Sequence, residues 1–360
     1  MQVVVLGSTG YAGMMLLRIL AAHPEVSSII PVSRSAAGRD VSEVDPGIGA
    51  AVAAHLTPTG GRFITAEQAR GEHADVVFSA LPHGAAAPLI KPYVGEIPVI
   101  DLSADFRITD AASYESVYKT RHPHPELLEH AVYGLTEWHR NEIAKAPIVA
   151  CPGCYPTATL LPLLPFTDVV EGPVIVNALS GISGAGRKEK QDLLFNERSE
   201  NVNAYAPGRA HRHVPEIEQE LAPAADAAAA EEAGTASSRP GESGLQILFT
   251  PHLVPVKQGM IVTGMARLRV PMSRDEAEER VTSAYLESAF VGRSARETPQ
   301  SRDVRNTNRC DLAVAVHGEY LQFFSALDNL YKGASGQGVQ NMNVRMGLDE
   351  GLGLRVHGEF

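Results

Sequence analysis

The chain has 360 residues, 44% of them hydrophobic and 20% charged, which is enough apolar surface for two ordinary cores and excludes a disordered or fibrous chain. Lys and Arg number 31 against 42 Asp and Glu, a net charge of −11 that repels phosphate backbones and anionic lipid, so nucleic acid is not an expected partner. Three cysteines, Cys151, Cys154 and Cys310, form no disulfide framework and point to a reducing compartment. The first residues, Met1 to Gly7, carry no basic leader, and no run of about 18 apolar residues occurs. A cytoplasmic protein, neither secreted nor membrane-spanning, is the expectation.

In chain order, short β-branched runs alternate with helical patterns over residues 1–150, the signature of βαβ units and a parallel sheet covered on both faces. Strands are predicted at Val3 to Leu6, Ile29 to Ser33, Asp75 to Ala80, Val99 to Leu102 and Ile148 to Ala150. Tyr11 to Ala22 is apolar nearly all round and stops before Pro24, as a helix buried against a sheet does. Pro31 breaks a rule inside the second run, where it removes a ladder hydrogen bond. From Val174 onward the strands lengthen, with Met260 to Val270 and the pair Asp311 to Val316 and Tyr320 to Ala326 joined through Gly318. A second domain with a mixed or largely antiparallel sheet and a helix near Arg274 to Ala289 is expected there. Ala222 to Ser243 is rich in Ala, Glu, Ser, Pro and Gly and reads as a flexible surface insertion. Gly333 to Gly347 is weakly helical.

Gly7-Ser8-Thr9-Gly10-Tyr11-Ala12-Gly13 follows the first strand and opens the first helix, where amide groups and the helix dipole hold a pyrophosphate. The spacing is not the regular G-x-G-x-x-G, so a plain strand-to-helix turn competes with dinucleotide binding. At the end of the second strand, where a carboxylate would hold a ribose 2′-hydroxyl, stand Ser33 and Arg34. Hydroxyl and guanidinium groups suit a 2′-phosphate, so NADP is expected over NAD.

Cys151-Pro-Gly-Cys154-Tyr-Pro-Thr157 lies between the fifth predicted strand and an apolar helical run. Cys154 thus sits at the positive end of a helix dipole, which lowers a thiol pKa and supplies amide donors, as a nucleophile requires. A thioredoxin-like redox pair, a zinc site and a buried inert thiol are the competing readings. A thiolate beside a nicotinamide site implies an acyl group held as a thioester and exchanged with an aldehyde by hydride transfer. His211-Arg-His213-Val-Pro-Glu216 supplies two imidazoles and a carboxylate to orient one of them; a surface histidine cluster is the plain alternative. No further metal ligands stand near, so no metal is expected.

Together with Ala80-Leu-Pro82-His-Gly84, Asp101-Leu-Ser-Ala-Asp-Phe-Arg107, Ser180-Gly-Ile-Ser-Gly-Ala-Gly-Arg187 and Asp328-Asn329-Leu-Tyr-Lys-Gly333, these segments resemble, in order and over nearly the whole chain, the N-acetyl-gamma-glutamyl-phosphate reductase family of arginine biosynthesis. The resemblance implies NADPH-dependent reduction of N-acetyl-L-glutamyl 5-phosphate to the semialdehyde with release of phosphate. It implies Cys154 as nucleophile, His211, His213 and Glu216 as the acid/base segment without deciding which histidine moves the proton, and Arg107 and Ser180 at the substrate. It further implies Gly7 to Gly13, Ser33, Arg34, Pro82, Gly184, Ala185 and Asn329 at the cofactor. The fold class that follows is α/β: a Rossmann-type parallel sheet domain over 1–150, completed by 331–360, plus an α+β catalytic domain over 151–330 with a mixed or antiparallel sheet that builds a homo-oligomer, a dimer or tetramer. Two departures stand out: the insertion, and Cys151 in place of a non-thiol residue, which raises an inactivating disulfide with Cys154. Aspartate-semialdehyde dehydrogenase and a catalytically silent NADP-binding protein are the rival readings.

Overall fold

The computed structural model describes residues 1–222 and 245–358, so the insertion read from the sequence lies, beyond Ala222, outside the described residues. The chain folds as two compact units: Met1–Gly153 with Leu330–Arg355, and Cys154–Asn329 with the tail from Val356.

The first unit is built on a six-stranded sheet in the order β2-β1-β3-β4-β6-β5, with β1 Gln2–Leu6, β2 Ser28–Val32, β3 Val76–Ser79, β4 Val99–Asp101, β5 Ala131–Tyr133 and β6 Ile148–Ala150. Every pairing is parallel. Alternate side chains explain the continuous apolar runs: Val3, Val5, Val76, Phe78 and Ile100 face one buried layer, whereas Val4, Leu6, Val77, Val99 and Ile148 face the other. Both faces are therefore covered, as a parallel sheet requires. Pro31 costs the ladder nothing. β2 is an edge strand, and its flanking residues Ile29 and Ser33 donate outward, to His55 O at 2.7 Å and Ile64 O at 3.1 Å, so the missing N–H of Pro31 falls on the side away from β1. The edge strand β5 escaped the sequence pattern because three residues carry no readable alternation.

The helix Tyr11–Ala21 and the helix Gly336–Arg345 both pack on the first of these layers. The latter is polar in sequence yet buried along nearly its whole length, which is possible because each amide side chain meets a partner. Gln337 Nε2 donates to Gly134 O at 3.0 Å and Thr136 Oγ1 at 2.6 Å, and Asn341 Nδ2 donates to Gly134 O at 2.8 Å. Ahead of it, Tyr331–Ser335 forms one π-helical turn, pinned by the fully buried Lys332, whose ammonium lies 2.6 Å from Glu137 Oε1 and 2.7 Å from Gln340 Oε1.

The second unit carries a seven-stranded mixed sheet, β11-β12-β13-β10-β7-β9-β8. Its strands are β7 Val170–Gly181, β8 Asn203–Ala204, β9 Ile247–Val254, β10 Met260–Leu268, β11 Val291–Arg293, β12 Cys310–His317 and β13 Tyr320–Leu327. The β12–β13 hairpin turns on Gly318 (φ +60) and Glu319, a two-residue loop whose first position favours glycine. The helices Cys154–Leu163 and Arg274–Ala284 pack against this sheet. Its other face leaves Ile175, Leu179 and Leu248 38–42% exposed, Ile175 opposite Leu248 in the β7–β9 register and Leu179 four residues further along β7.

Removing one member of a buried ion pair strands the other. Lys332→Met is expected to destabilise the first unit by about 3–5 kcal/mol, and adding Glu137→Leu to restore part of it. Denaturant titration followed by Trp138 fluorescence, the chain's one tryptophan and the neighbour of Glu137, reads both values.

Candidate active site

In the first unit the carboxyl ends of β1, β3, β4 and β6 fall on one edge of the sheet, and the motif segments follow them. At the end of β1 the glycines divide their work. Gly7 has φ +85, and a Cβ there would stand 2.6 Å from Ala80 O; a Cβ on Gly13 would stand 2.3 Å from Gly7 O. Gly7 thus makes the turn and Gly13 lets the helix close on it, whereas Gly10, the N-cap of the helix, has nothing nearer than 3.8 Å. That is the division a pyrophosphate cradle needs: the middle glycine clears the approach to the free amides of the first turn at Tyr11, Ala12 and Gly13.

Not every residue of the turn faces outward. Ser8 is buried, its hydroxyl donating to Val5 O at 2.6 Å and accepting from Val32 N–H at 3.1 Å, so its side chain ties β1 to β2. Ser33 is buried too, 3.5 Å from the Thr9 hydroxyl and accepting from Ala36 N–H at 3.3 Å, whereas Arg34 is exposed. No carboxylate stands among residues 33–37 after β2.

Asp101 to Arg107, after β4, wires this edge together. The fully buried Asp105 carboxylate accepts from Gly84 N–H at 2.5 Å, Ala86 N–H at 3.0 Å, Ala87 N–H at 3.1 Å and the Tyr114 hydroxyl at 3.2 Å, and so fixes the loop that exposes Pro82. Arg107 donates through Nε to Cys151 O and through Nη2 to Leu102 O, both at 2.8 Å. It is 9% exposed; the sequence reading placed it at the substrate, and these bonds give it a first duty to the backbone three residues before Cys154. Asp105 went unnoticed as a candidate because one carboxylate in a loop carries no spacing signal.

The two cysteines of Cys151-Pro-Gly-Cys154 have opposite surroundings. Burial pushes the Cys151 thiol up to about 12, against the smaller opposing effect of the Asn341 amide at 3.5 Å. Cys310 is fully buried. Cys154 alone of the three is partly exposed, and it opens the helix Cys154–Leu163 of the second unit, with Pro156 in the first turn where its lacking N–H costs nothing. Both Cys151 and Cys154 are free thiols.

Around Cys154 the second unit gathers an aromatic and imidazole cluster. Tyr155 meets His211 edge-on (5.5 Å, 90°), His213 (5.9 Å) and Phe249 (5.1 Å), and the two imidazole centroids are 4.8 Å apart. The Tyr155 hydroxyl lies 2.9 Å from that of Tyr205 and also bonds Ser180, at the end of β7. Burial raises both tyrosine pKa values, so these hydroxyls stay neutral. His211 is pushed down to about 4, first by burial and then by the charge of Arg212. Its Nδ1 accepts the His213 backbone N–H at 3.2 Å, which leaves the proton of the neutral ring on Nε2. His213 begins the helical stretch 213–222, whose Val214, Ile217 and Leu221 enter the core; Glu216, fully buried, lies one turn on, where i and i+3 share a face. The loop bearing His211 is clamped by Arg209 Nη2, 2.7 Å from Glu218 Oε2, while Glu218 Oε1 accepts Ile247 N–H of β9 at 2.9 Å.

Gly184 and Ala185 lie in the turn Ile182–Ala185 that folds back over Ser180, a Cβ on Gly184 standing 3.1 Å from Ser180 Oγ. Asn329 is buried: Oδ1 accepts Gly259 N–H at 2.8 Å and Nδ2 donates to Ser183 Oγ at 2.9 Å. Its amide therefore braces the turn bearing Gly184. Sequence reasoning missed Tyr155, Tyr205 and Phe249, which are scattered along the chain and meet only in the fold. Among the described residues no cluster of three or more metal-ligating side chains occurs.

Both units match one class of enzyme. Residues 2–146 match the semialdehyde dehydrogenase NAD binding domain and residues 154–329 the semialdehyde dehydrogenase dimerisation domain. The N-acetyl-gamma-glutamyl-phosphate reductases of Dehalococcoides mccartyi and Geobacter sulfurreducens are each 41% identical to this chain, over 98% of it and 96% and 98% of their own lengths. In fold it is similar to aspartate semialdehyde dehydrogenase II of Vibrio cholerae, solved with ASA (TM-score 0.64, 17% identity, 96% and 98% of the two chains). A second likeness is to the Candida albicans aspartate semialdehyde dehydrogenase with NADP (TM-score 0.62, 16% identity, 96% and 99%). The chain belongs to the N-acetyl-gamma-glutamyl-phosphate reductase family of the semialdehyde dehydrogenases.

The lowered pKa of His211 has a consequence for stability. The unfolded chain takes up a proton near pH 6.5 that the folded ring refuses until about 4. The stabilisation is complete above the unfolded value and is lost as pH falls through that window. Denaturant titrations at pH 7 and 4.5 are expected to show a wild-type advantage over His211→Gln that shrinks on acidification; a constant gap contradicts the burial of a neutral ring.

Proposed function

We infer that this chain reduces N-acetyl-L-glutamyl 5-phosphate to N-acetyl-L-glutamate 5-semialdehyde with NADPH, releasing phosphate, in arginine biosynthesis. The observation that carries the reading is the contrast between the thiols: Cys154 alone of the three is both partly exposed and at the start of a helix, next in sequence to Tyr155, whose ring meets His211 and His213, in a chain 41% identical to named reductases.

The Cys154 sulfur attacks the acyl carbon, the helix-start amides steady the oxyanion, and the C–O bond to phosphate breaks to leave a thioester. Bound NADPH supplies the hydride for the second half of the reaction. The reduced carbon then sheds the Cys154 thiolate as the C–S bond breaks and the aldehyde forms. His211, neutral and with its proton on Nε2, suits hydrogen-bond donation to a developing oxyanion. His213, with Glu216 on the same helical face, takes the proton from the thiol and returns it. The turn amides of Tyr11 to Gly13 hold the pyrophosphate, exposed Arg34 faces the 2′-phosphate, and Arg107, besides its backbone bonds, meets the substrate phosphate. Ser180, Gly184, Ala185 and Asn329 shape the wall of the second unit at the reacting end.

The protein acts as a homo-oligomer, and we assign the contact to the open face of the seven-stranded sheet. Its exposed Ile175, Leu179 and Leu248 lie in the segment that matches a dimerisation domain. A dimer or tetramer of that kind in the cytoplasm completes the reading.

A coupled assay with N-acetylglutamate semialdehyde, phosphate and NADP tests the activity, and aspartate semialdehyde in its place tests the rival substrate. Cys154→Ala is expected to lower turnover at least ~10³-fold with NADPH binding retained. Undiminished turnover by Cys154→Ser ends the thioester reading. Arg34→Ala is expected to raise KM for NADPH roughly tenfold without changing that for NADH. Ile175→Arg with Leu248→Arg is expected to halve the mass seen by light scattering or more.

A further inference from the structure

The last motif of the sequence, Asp328 to Gly333, leads into the π turn Tyr331–Ser335, and nothing so far explains why the chain makes that turn. A π turn inserts one residue into helical winding and is less favourable than continuous α-helix, so where it persists it re-aims a side chain. Here the extra residue closes through Ser335 N–H to Leu330 O at 2.9 Å. It aims the fully buried Ser335 hydroxyl at the helix Tyr11–Ala21, where it donates to Ala12 O at 2.9 Å. Ala12 lies in the first turn of that helix, between Gly10 and Gly13. On its other side the turn is anchored by buried Lys332 between Glu137 and Gln340.

The same C-terminal segment also holds the far end of the glycine-turn helix. His23 Nδ1 accepts Glu25 N–H at 3.2 Å, so Nε2 carries the proton and donates to Asn343 Oδ1 at 2.9 Å. The helix Tyr11–Ala21 is thus tied twice, at its phosphate end by Ser335 and at its distal end by Asn343. Both ties stabilise the packing, and only the first reaches the amides that meet a pyrophosphate.

We propose that Ser335 is a positioning residue for the cofactor: its hydroxyl, aimed by the π turn, fixes the first turn of the glycine-turn helix in the orientation that binds the NADPH pyrophosphate. It touches no cofactor atom itself. This rests on the dinucleotide reading of the turn and assigns a distant segment a share in its affinity. The Ala12 carbonyl belongs to the helix's own ladder, and the Ser335 hydroxyl adds the side-chain bond that ties it to the C-terminal segment. Without that bond the first turn is free to shift by tenths of an ångström, which disturbs an aligned set of amide donors more than it disturbs a core contact.

NADPH titration of the apoenzyme by nicotinamide fluorescence, beside steady-state kinetics, tests this. Ser335→Ala is expected to raise the NADPH Kd about three- to tenfold, with KM for the acyl phosphate and kcat at saturating NADPH within about twofold of wild type. His23→Ala, which cuts the distal tie, is expected to lower Tm with the NADPH Kd unchanged. Ser335→Cys, near in size and a weaker donor, is expected to fall between wild type and Ala, and it carries the test if Ala does not fold. An unchanged Kd in whichever Ser335 variant folds overturns the proposal, as does an equal rise in Kd in His23→Ala, which would mark general loosening of the helix. Failure of wild type to bind NADPH at all is a separate result and overturns the dinucleotide reading instead.

Discussion

A parallel sheet brings every strand's carboxyl end to one edge, and in the first unit four of the motif segments hang from such ends. The glycine turn follows β1, the Pro82 loop follows β3, Asp101 to Arg107 follows β4, and Cys151 follows β6. Loops on one edge are free to drift apart, and one of them prevents it. Asp105 takes three backbone N–H groups of the β3 loop, and Arg107 takes the Cys151 carbonyl after β6. Arg107, which the sequence places at a substrate, and Asp105, which the sequence does not single out, both act first as struts between neighbouring loops. A buried carboxylate or guanidinium satisfied by backbone groups is stable where an unpaired one is not, so the same bonds that keep these charges inside the protein also set the spacing of the edge.

The chemistry at the edge comes from environment more than from residue type. Cys151 and Cys154 are separated by Pro-Gly, and the first is sealed in a core that holds its thiol protonated, while the second opens a helix and reaches solvent. His211 and His213 divide in the same manner. His211, largely enclosed, is neutral with its tautomer set by a backbone N–H, and His213, buried as well, heads a helix with a carboxylate one turn away. Each pair begins as two identical groups and ends in two different surroundings.

Much of this was legible in the sequence. The alternation of β-branched runs with helical periods defines the parallel sheet, and the glycine spacing after β1 places the turn, because strong local patterns coincide there with tertiary structure. Pro31 read as an obstacle only because the edge position of its strand is a property of sheet order, which local sequence does not carry. The helix Gly336–Arg345 falls in the stretch read as weakly helical, and it is its burial that was hard to foresee, for a different reason. Gln337, Gln340, Asn341 and Asn343 look like a solvated face until their partners, more than a hundred residues away in several cases, are brought alongside. Tyr155, Tyr205 and Phe249 share that limitation, since a cluster formed by three separate elements leaves no spacing to read. Ser8 and Asn329 were recognised as parts of their motifs, and the structure shows the side chain of each bracing backbone.

That buried C-terminal helix bears on how the protein is made. The residues 336–345 supply part of the layer beneath the first sheet, alongside strands that leave the ribosome some three hundred residues earlier. Until synthesis is nearly finished, that layer lacks the second of its two helices, and Gly134 and Thr136 wait for Gln337 and Asn341. The cofactor half, first to be translated, is therefore last to close, while Cys154–Asn329, contiguous in sequence, has all its strands in hand sooner. Truncation in the final thirty or so residues would leave the unit that Cys154 opens with every strand and helix, short only of its tail from Val356, and the opposite end of the gene product unfinished.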